Sequence, residues 1–180
     1  MDNILSNIKN TQDTFYCNSK KNTFMKENQK IKCAESVLNN FSIEELLSKT
    51  VYMLDNSNKI FISYPLYKTY ALSTNYQSIV DRIIQSIFYV LEKFPTFEIH
   101  IDLDSFTATA LQRNMIVFQL YYDTCCKNGL NYDTNTLDRI VIYNTPSIIQ
   151  SLFTLIIKLT DKSIKEKIFY LYFIKQKYKK

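Results

Sequence analysis

The chain holds one glycine, Gly129, one histidine, His100, three prolines and no tryptophan. A single glycine excludes the phosphate-cradling P-loop and the dinucleotide fingerprint, which need several glycines where backbone approaches phosphate. One histidine and four cysteines (Cys17, Cys33, Cys125, Cys126) in no Cys-x-x-Cys spacing leave little for a zinc site. No apolar run reaches the roughly 18 to 20 residues that span a bilayer. Met1 to Asn10 lacks the apolar core of a secretory signal. The expectation is a cytoplasmic protein with free thiols. Arginine is scarce as well. Only Arg82, Arg113 and Arg139 occur among 22 basic residues, leaving 19 lysines. With abundant Asn, Ile and Tyr, that bias points to an AT-rich coding genome, such as that of a large DNA virus or a protist, and so to a virion or infected cell as one setting.

What is present suits one globular domain. At 180 residues, with 46% hydrophobic and 22% charged residues, the chain can bury enough apolar surface to fold. Between Lys158 and Lys180 eight lysines face only Asp161 and Glu166, a local excess of +6, so the other 157 residues carry −1 of the overall +5. An anionic partner would be met at that end. Nucleic acid is not the expected one, because grooves that bind it favour arginine and this tail has none.

Residues 1–40 are rich in Asn, Lys, Gln and Thr. They read as a polar N-terminal arm, weakly helical or disordered, outside a domain spanning 41–180 with a basic tail. Ser42-Ile-Glu-Glu45 has capping-box spacing and predicts a helix start. Thr50–Leu54 and Lys59–Ser63, separated by Asp55-Asn-Ser-Asn58, predict a hairpin. Ile79, Ile83, Ile87 and Leu91 recur at helical spacing up to Pro95. Phe97–Asp102 alternates as a strand with Glu98, His100 and Asp102 on one face. A further helix carries Leu111, Met115, Phe118, Tyr122 and Cys125 as its core stripe and stops at Gly129. Arg139–Tyr143 reads as a strand covered on both faces, and Ile168–Ile174 as a last buried strand. Alternating strands and helices predict an α/β fold: a mixed, mostly parallel sheet of about five strands flanked by helices.

Ser147–Leu159 has an unusual pattern. On a helix, Gln150, Ser151, Thr154 and Lys158 fall in one narrow polar stripe, while Ile148, Ile149, Leu152, Phe153, Leu155, Ile156, Ile157 and Leu159 cover about 200°. A surface helix needs about half that apolar width, so the surplus calls for a lipid, a membrane, a partner or another layer of the protein.

These residues resemble the CRAL-TRIO lipid-binding family. Ile99-His-Ile-Asp-Leu-Asp-Ser-Phe106 is similar to its central strand. Ile140-Val-Ile-Tyr-Asn-Thr-Pro146 resembles its strand ending in Asn-x-Pro, and Glu166-Lys-Ile-Phe169 looks like its Lys-Ile strand start. The resemblance implies non-catalytic binding or transfer of a phospholipid-like amphiphile under a gate made of the apolar residues of 148–159. It implies no metal and no cofactor beyond a bound lipid. Lys158, Lys162, Lys165 and Lys167 beside the gate would meet an anionic membrane surface, and His100 would be a polar group of the cavity. The compact layout also resembles the BCH-type relatives, protein scaffolds that bind small GTPases, which would imply a protein partner or a homodimer instead.

Overall fold

Caps and turns take effect where the sequence places them. The computed structural model describes residues 2–19, 26–130, 136–145 and 166–171. Their order is α1 (Asp2–Asn18), α2 (Lys26–Asn40), α3 (Ile43–Thr50), β1 (Val51–Met53), β2 (Lys59–Ser63), α4 (Tyr64–Tyr70), α5 (Tyr76–Leu91), β3 (Phe97–Asp102), α6 (Ala108–Lys127), β4 (Leu137–Tyr143) and β5 (Ile168–Leu171). The Ser42 hydroxyl accepts the Glu45 amide at 3.1 Å and opens α3. Thr107 does the same for α6 through the Ala110 amide at 3.1 Å. Each satisfies an amide that a first helical turn leaves without an intrahelical partner. Gly129, at φ 68°, supplies the left-handed residue that ends α6, with the Leu130 amide returning to the Cys125 carbonyl at 3.0 Å. Asn56, at φ 51°, turns the chain between β1 and β2.

The five strands lie in sequence order across one sheet. β1 pairs antiparallel with β2, and β2, β3, β4 and β5 run parallel. This is the expected α/β architecture, a mostly parallel mixed sheet flanked by helices. Ile60 and Ile99 point to one face, where they join Leu46 of α3, Leu66 and Tyr70 of α4, and Ile79, Val80 and Ile87 of α5 in the main apolar cluster. Ile142 continues that face into a smaller cluster with Leu103, Phe106, Ala110 and Leu111. Among the described residues no helix is long and apolar enough to cross a membrane.

Three elements depart from the sequence reading. Residues expected to form a loose arm make α1 and α2, which pack on each other, and Ile4, Ile8 and Val37 belong to the main cluster. The polar composition concealed a narrow stripe: Ile4 and Ile8 are four apart, as are Cys33 and Val37, and all four are buried. In α6 the core stripe is rotated from the expected one. Ala110, Leu111, Asn114 and Cys125 are buried, whereas Met115, Phe118 and Tyr122 are exposed. Asn114 is tolerated inside because its carbonyl accepts the Tyr67 hydroxyl at 2.7 Å and its amide donates to the Ala110 carbonyl at 2.8 Å. Finally, β5 is not buried on both sides. Ile168 and Tyr170 are half-buried, and Phe169 and Leu171 are half-exposed on the other face.

Candidate functional site

Register builds the second face of the sheet in rows. Lys59, Glu98 and Arg139 are neighbours at the end where β2, β3 and β4 begin. Phe61, His100, Val141 and Phe169 form the next row, and Ser63, Asp102, Tyr143 and Leu171 the one after. Tyr52 of β1 pairs with Phe61. None of Tyr52, Phe61, Val141 and Tyr143 belongs to either helix-packed cluster.

Rings run across four strands here. Tyr52 and Phe61 stack with centroids 5.3 Å apart. Phe61 stacks on His100 at 6.2 Å and on Tyr143 at 5.7 Å, and His100 and Tyr143 are 5.8 Å apart. Near-parallel rings at these spacings contribute about 0.5–1.5 kcal/mol per pair beyond their buried area. The row continues apolar onto β5, where Phe169 and Leu171 are about half exposed.

A polar chain is set into this row. His100 is buried, with Nε2 2.9 Å from Glu98 Oε2 and Nδ1 2.7 Å from the Tyr143 hydroxyl. A carboxylate only accepts, so Nε2 carries the proton, and in the neutral ring Nδ1 accepts from Tyr143. Glu98 is buried too, and its other oxygen faces Arg139 Nε at 3.5 Å. Burial pushes the Tyr143 phenol above its ordinary value, and the nearby Glu98 charge pushes it further. Tyr52 is raised in the same way, by burial and then by Asp102. Both phenols therefore stay neutral well above pH 7 and present hydroxyls, not charges.

The ends of β3 and β4 are tied together beyond this row. Asp102 Oδ1 accepts the Asp104 amide at 3.0 Å and the Asn144 side-chain amide at 2.9 Å. Ser105 and Asn144 adopt left-handed φ values of 63° and 55° to make these turns. Thr145 beside them is buried, and its hydroxyl has no hydrogen-bond partner among the described residues.

The residues singled out from sequence fall as follows. Ile148, Ile149, Leu152, Phe153, Leu155, Ile156, Ile157 and Leu159, with Lys158, Lys162 and Lys165, lie outside the described residues. Lys167 is half-buried, and its ammonium donates to the Leu137 carbonyl, so it is tied inward at the start of β5. His100 is in the centre of the aromatic face. Sequence reasoning placed Glu98, His100 and Asp102 on one face but missed Tyr52, Phe61, Tyr143 and Arg139. Period-two alternation assigns each to a face of its own strand; only the register between strands brings them together.

No family model matches the chain, and no curated protein matches it. Among solved structures, the crystal structure of Sfh5, a Sec14-like CRAL-TRIO protein, is a weak neighbour at a TM-score of 0.41 and 14% identity, covering 91% of this chain. The chain spans 66% of that neighbour's length, just under two thirds. A likeness of that size says nothing of what this chain binds.

Proposed function

We propose that this protein binds a hydrophobic or amphipathic ligand, without catalysis, on the aromatic face of its sheet. One observation carries the reading: Tyr52, Phe61, His100 and Tyr143 line up across four strands, outside both apolar clusters, and run into half-exposed Phe169 and Leu171. A sheet face built only for solvent would alternate to polar residues here. The CRAL-TRIO resemblance of the sequence makes a phospholipid-like amphiphile the ligand and the apolar stretch Ile148–Leu159 its cover, with Lys158, Lys162 and Lys165 drawing the protein to an anionic membrane surface. Each methylene of a bound chain removed from water adds about 0.8 kcal/mol, so such a ligand stays bound through purification.

The test is organic extraction of the folded protein, after exposure to a lipid mixture, followed by mass spectrometry. A stoichiometric amphiphile that is lost when Leu152 and Phe153 are replaced by Asp, in a protein that keeps its sheet, supports the reading. A blank extract from folded wild-type protein, or retention by the folded double variant, contradicts the ligand or its cover respectively.

The α6 stripe of Met115, Ile116, Phe118 and Tyr122, all exposed, favours a second reading, a BCH-like scaffold that binds protein or itself. A lipid-free dimer on a sizing column that Ile116→Asp splits would favour it over the carrier.

A further inference from the structure

The aromatic face changes character along its strands. Lys59 and Arg139 stand at the end where β2 and β4 begin, on either side of Glu98. The far end carries Asp102, followed by Asp104. Between Arg139 and Tyr143, at about 3.3 Å per residue, lies a band roughly 13 Å long that includes Phe61, Val141 and Phe169. The two ends therefore offer a ligand opposite things, hydrogen-bond donors on cations at one and carboxylates at the other.

The cationic end has unused donors. Glu98 between the cations is buried and has both oxygens engaged, one by His100 and one by Arg139 Nε. The Arg139 side chain is 49% exposed, and exposed Asp138 lies 3.4 Å from its Nε and Nη2. Among the described residues, neither Arg139 Nη1 nor the half-buried Lys59 ammonium meets an acceptor. The guanidinium also lies 6.0 Å from the Phe169 ring centroid, a cation–π contact that holds it at the rim of the apolar band. A guanidinium presents five donors in a fixed fork that matches paired oxygens of phosphate or carboxylate.

Resting on the reading that this face holds an amphiphile, we infer that Arg139, assisted by Lys59, receives the ligand's anionic head group, a phosphate monoester or a carboxylate. The chain then lies along Phe61 and Phe169 toward Leu171. Asp102 repels the same head group at the opposite end, which fixes the direction in which the ligand lies. Arg139 thus reads the head group, and the aromatic row reads the chain.

The test is calorimetric titration of the full chain with dodecyl phosphate, dodecyl maltoside and inorganic phosphate, the detergents below their micellar concentrations. Wild-type protein should bind dodecyl phosphate about tenfold more tightly than dodecyl maltoside, the scale of one or two charge-assisted hydrogen bonds at a partly exposed site. Lys59→Gln with Arg139→Gln should remove that preference, read as the ratio of the two detergents' affinities in the same variant. The wild-type preference should also shrink with added salt, a readout that needs no variant to fold. Equal binding of the two detergents by wild type, or a preference kept by the double variant or untouched by salt, overturns the head-group assignment while leaving the apolar face standing. Inorganic phosphate binding as tightly as dodecyl phosphate overturns it as well, by making the site one for a free anion. Absence of binding by either detergent overturns the proposed function itself.

Discussion

The same strands make both faces of the sheet, yet the two faces are built for different ends. On one, Ile60, Ile99 and Ile142 are buried under helices α3 to α6. On the other, one residue along in each strand, stand Phe61, His100 and Tyr143. The first face is closed mainly by interlocking aliphatic side chains, with the buried phenol hydroxyls above it, those of Tyr67 and Tyr70, each paired once. The second uses rings and a buried Glu98–His100–Tyr143 chain, whose polar atoms must be matched one by one. Aliphatic packing is concentrated on the first face, and the proposed recognition lies on the second.

Alkali should break the covered side first. Burial raises the Tyr70 phenol to about 12 and lifts Tyr67 well above its ordinary value, Tyr70 donating to the Thr50 hydroxyl at 2.9 Å and Tyr67 to Asn114. Their folded pKa values exceed the unfolded value near 10, so the native state holds protons that the unfolded chain releases. The resulting stability is complete below about pH 10 and is lost as the pH rises through about 12, a loss of about 3 kcal/mol from Tyr70 alone. Urea unfolding between pH 9 and 12 should show this fall, and Tyr67→Phe with Tyr70→Phe should flatten its slope.

Ile60→Ala comes next. Its side chain is fully buried, and its loss should cost about 3 kcal/mol, read as a lower urea midpoint with an unchanged slope. His100→Ala, on the opposite face, should cost less, about 2 kcal/mol, because it takes the ring N–H away from a buried Glu98 oxygen. It should also weaken amphiphile retention, which Ile60→Ala leaves intact in the fraction that folds. The smallest change in stability is expected from Phe169→Ser, within about 0.5 kcal/mol, since the ring is half exposed on β5. That variant should nonetheless lose dodecyl phosphate affinity several-fold. A Phe169→Ser protein that is strongly destabilised, or that binds unchanged, would erase the distinction between the faces.

Much of the fold was legible because its signals are local. The Ser42 cap, the Asp55–Asn58 turn, the α5 periodicity and the Gly129 stop each depend on a few neighbouring residues, and each appears in place. The phase of α6 was not legible. Its sequence carries two apolar stripes, and the one with Met115, Phe118 and Tyr122 looks the better until Tyr67 arrives from α4 to satisfy Asn114. The helices of residues 2–40 were underestimated because their burial rests on a few small or aliphatic residues in a polar background, such as Ile8 and Val37. In the candidate site, His100 and its strand neighbours were visible. Phe61, Tyr143 and Arg139 were not, since their proximity follows from strand register alone.

His100 is the only histidine, so its imidazole gives one set of ring resonances, at the centre of the aromatic face. The most direct test of the account is to follow those resonances, together with the methyl signals of Ile60 and Ile99, while dodecyl phosphate is titrated into the folded protein. A saturable shift of the His100 ring is expected, with the isoleucine methyls nearly still. A bound ligand that leaves His100 unmoved, or that shifts Ile60 and Ile99 instead, would contradict it.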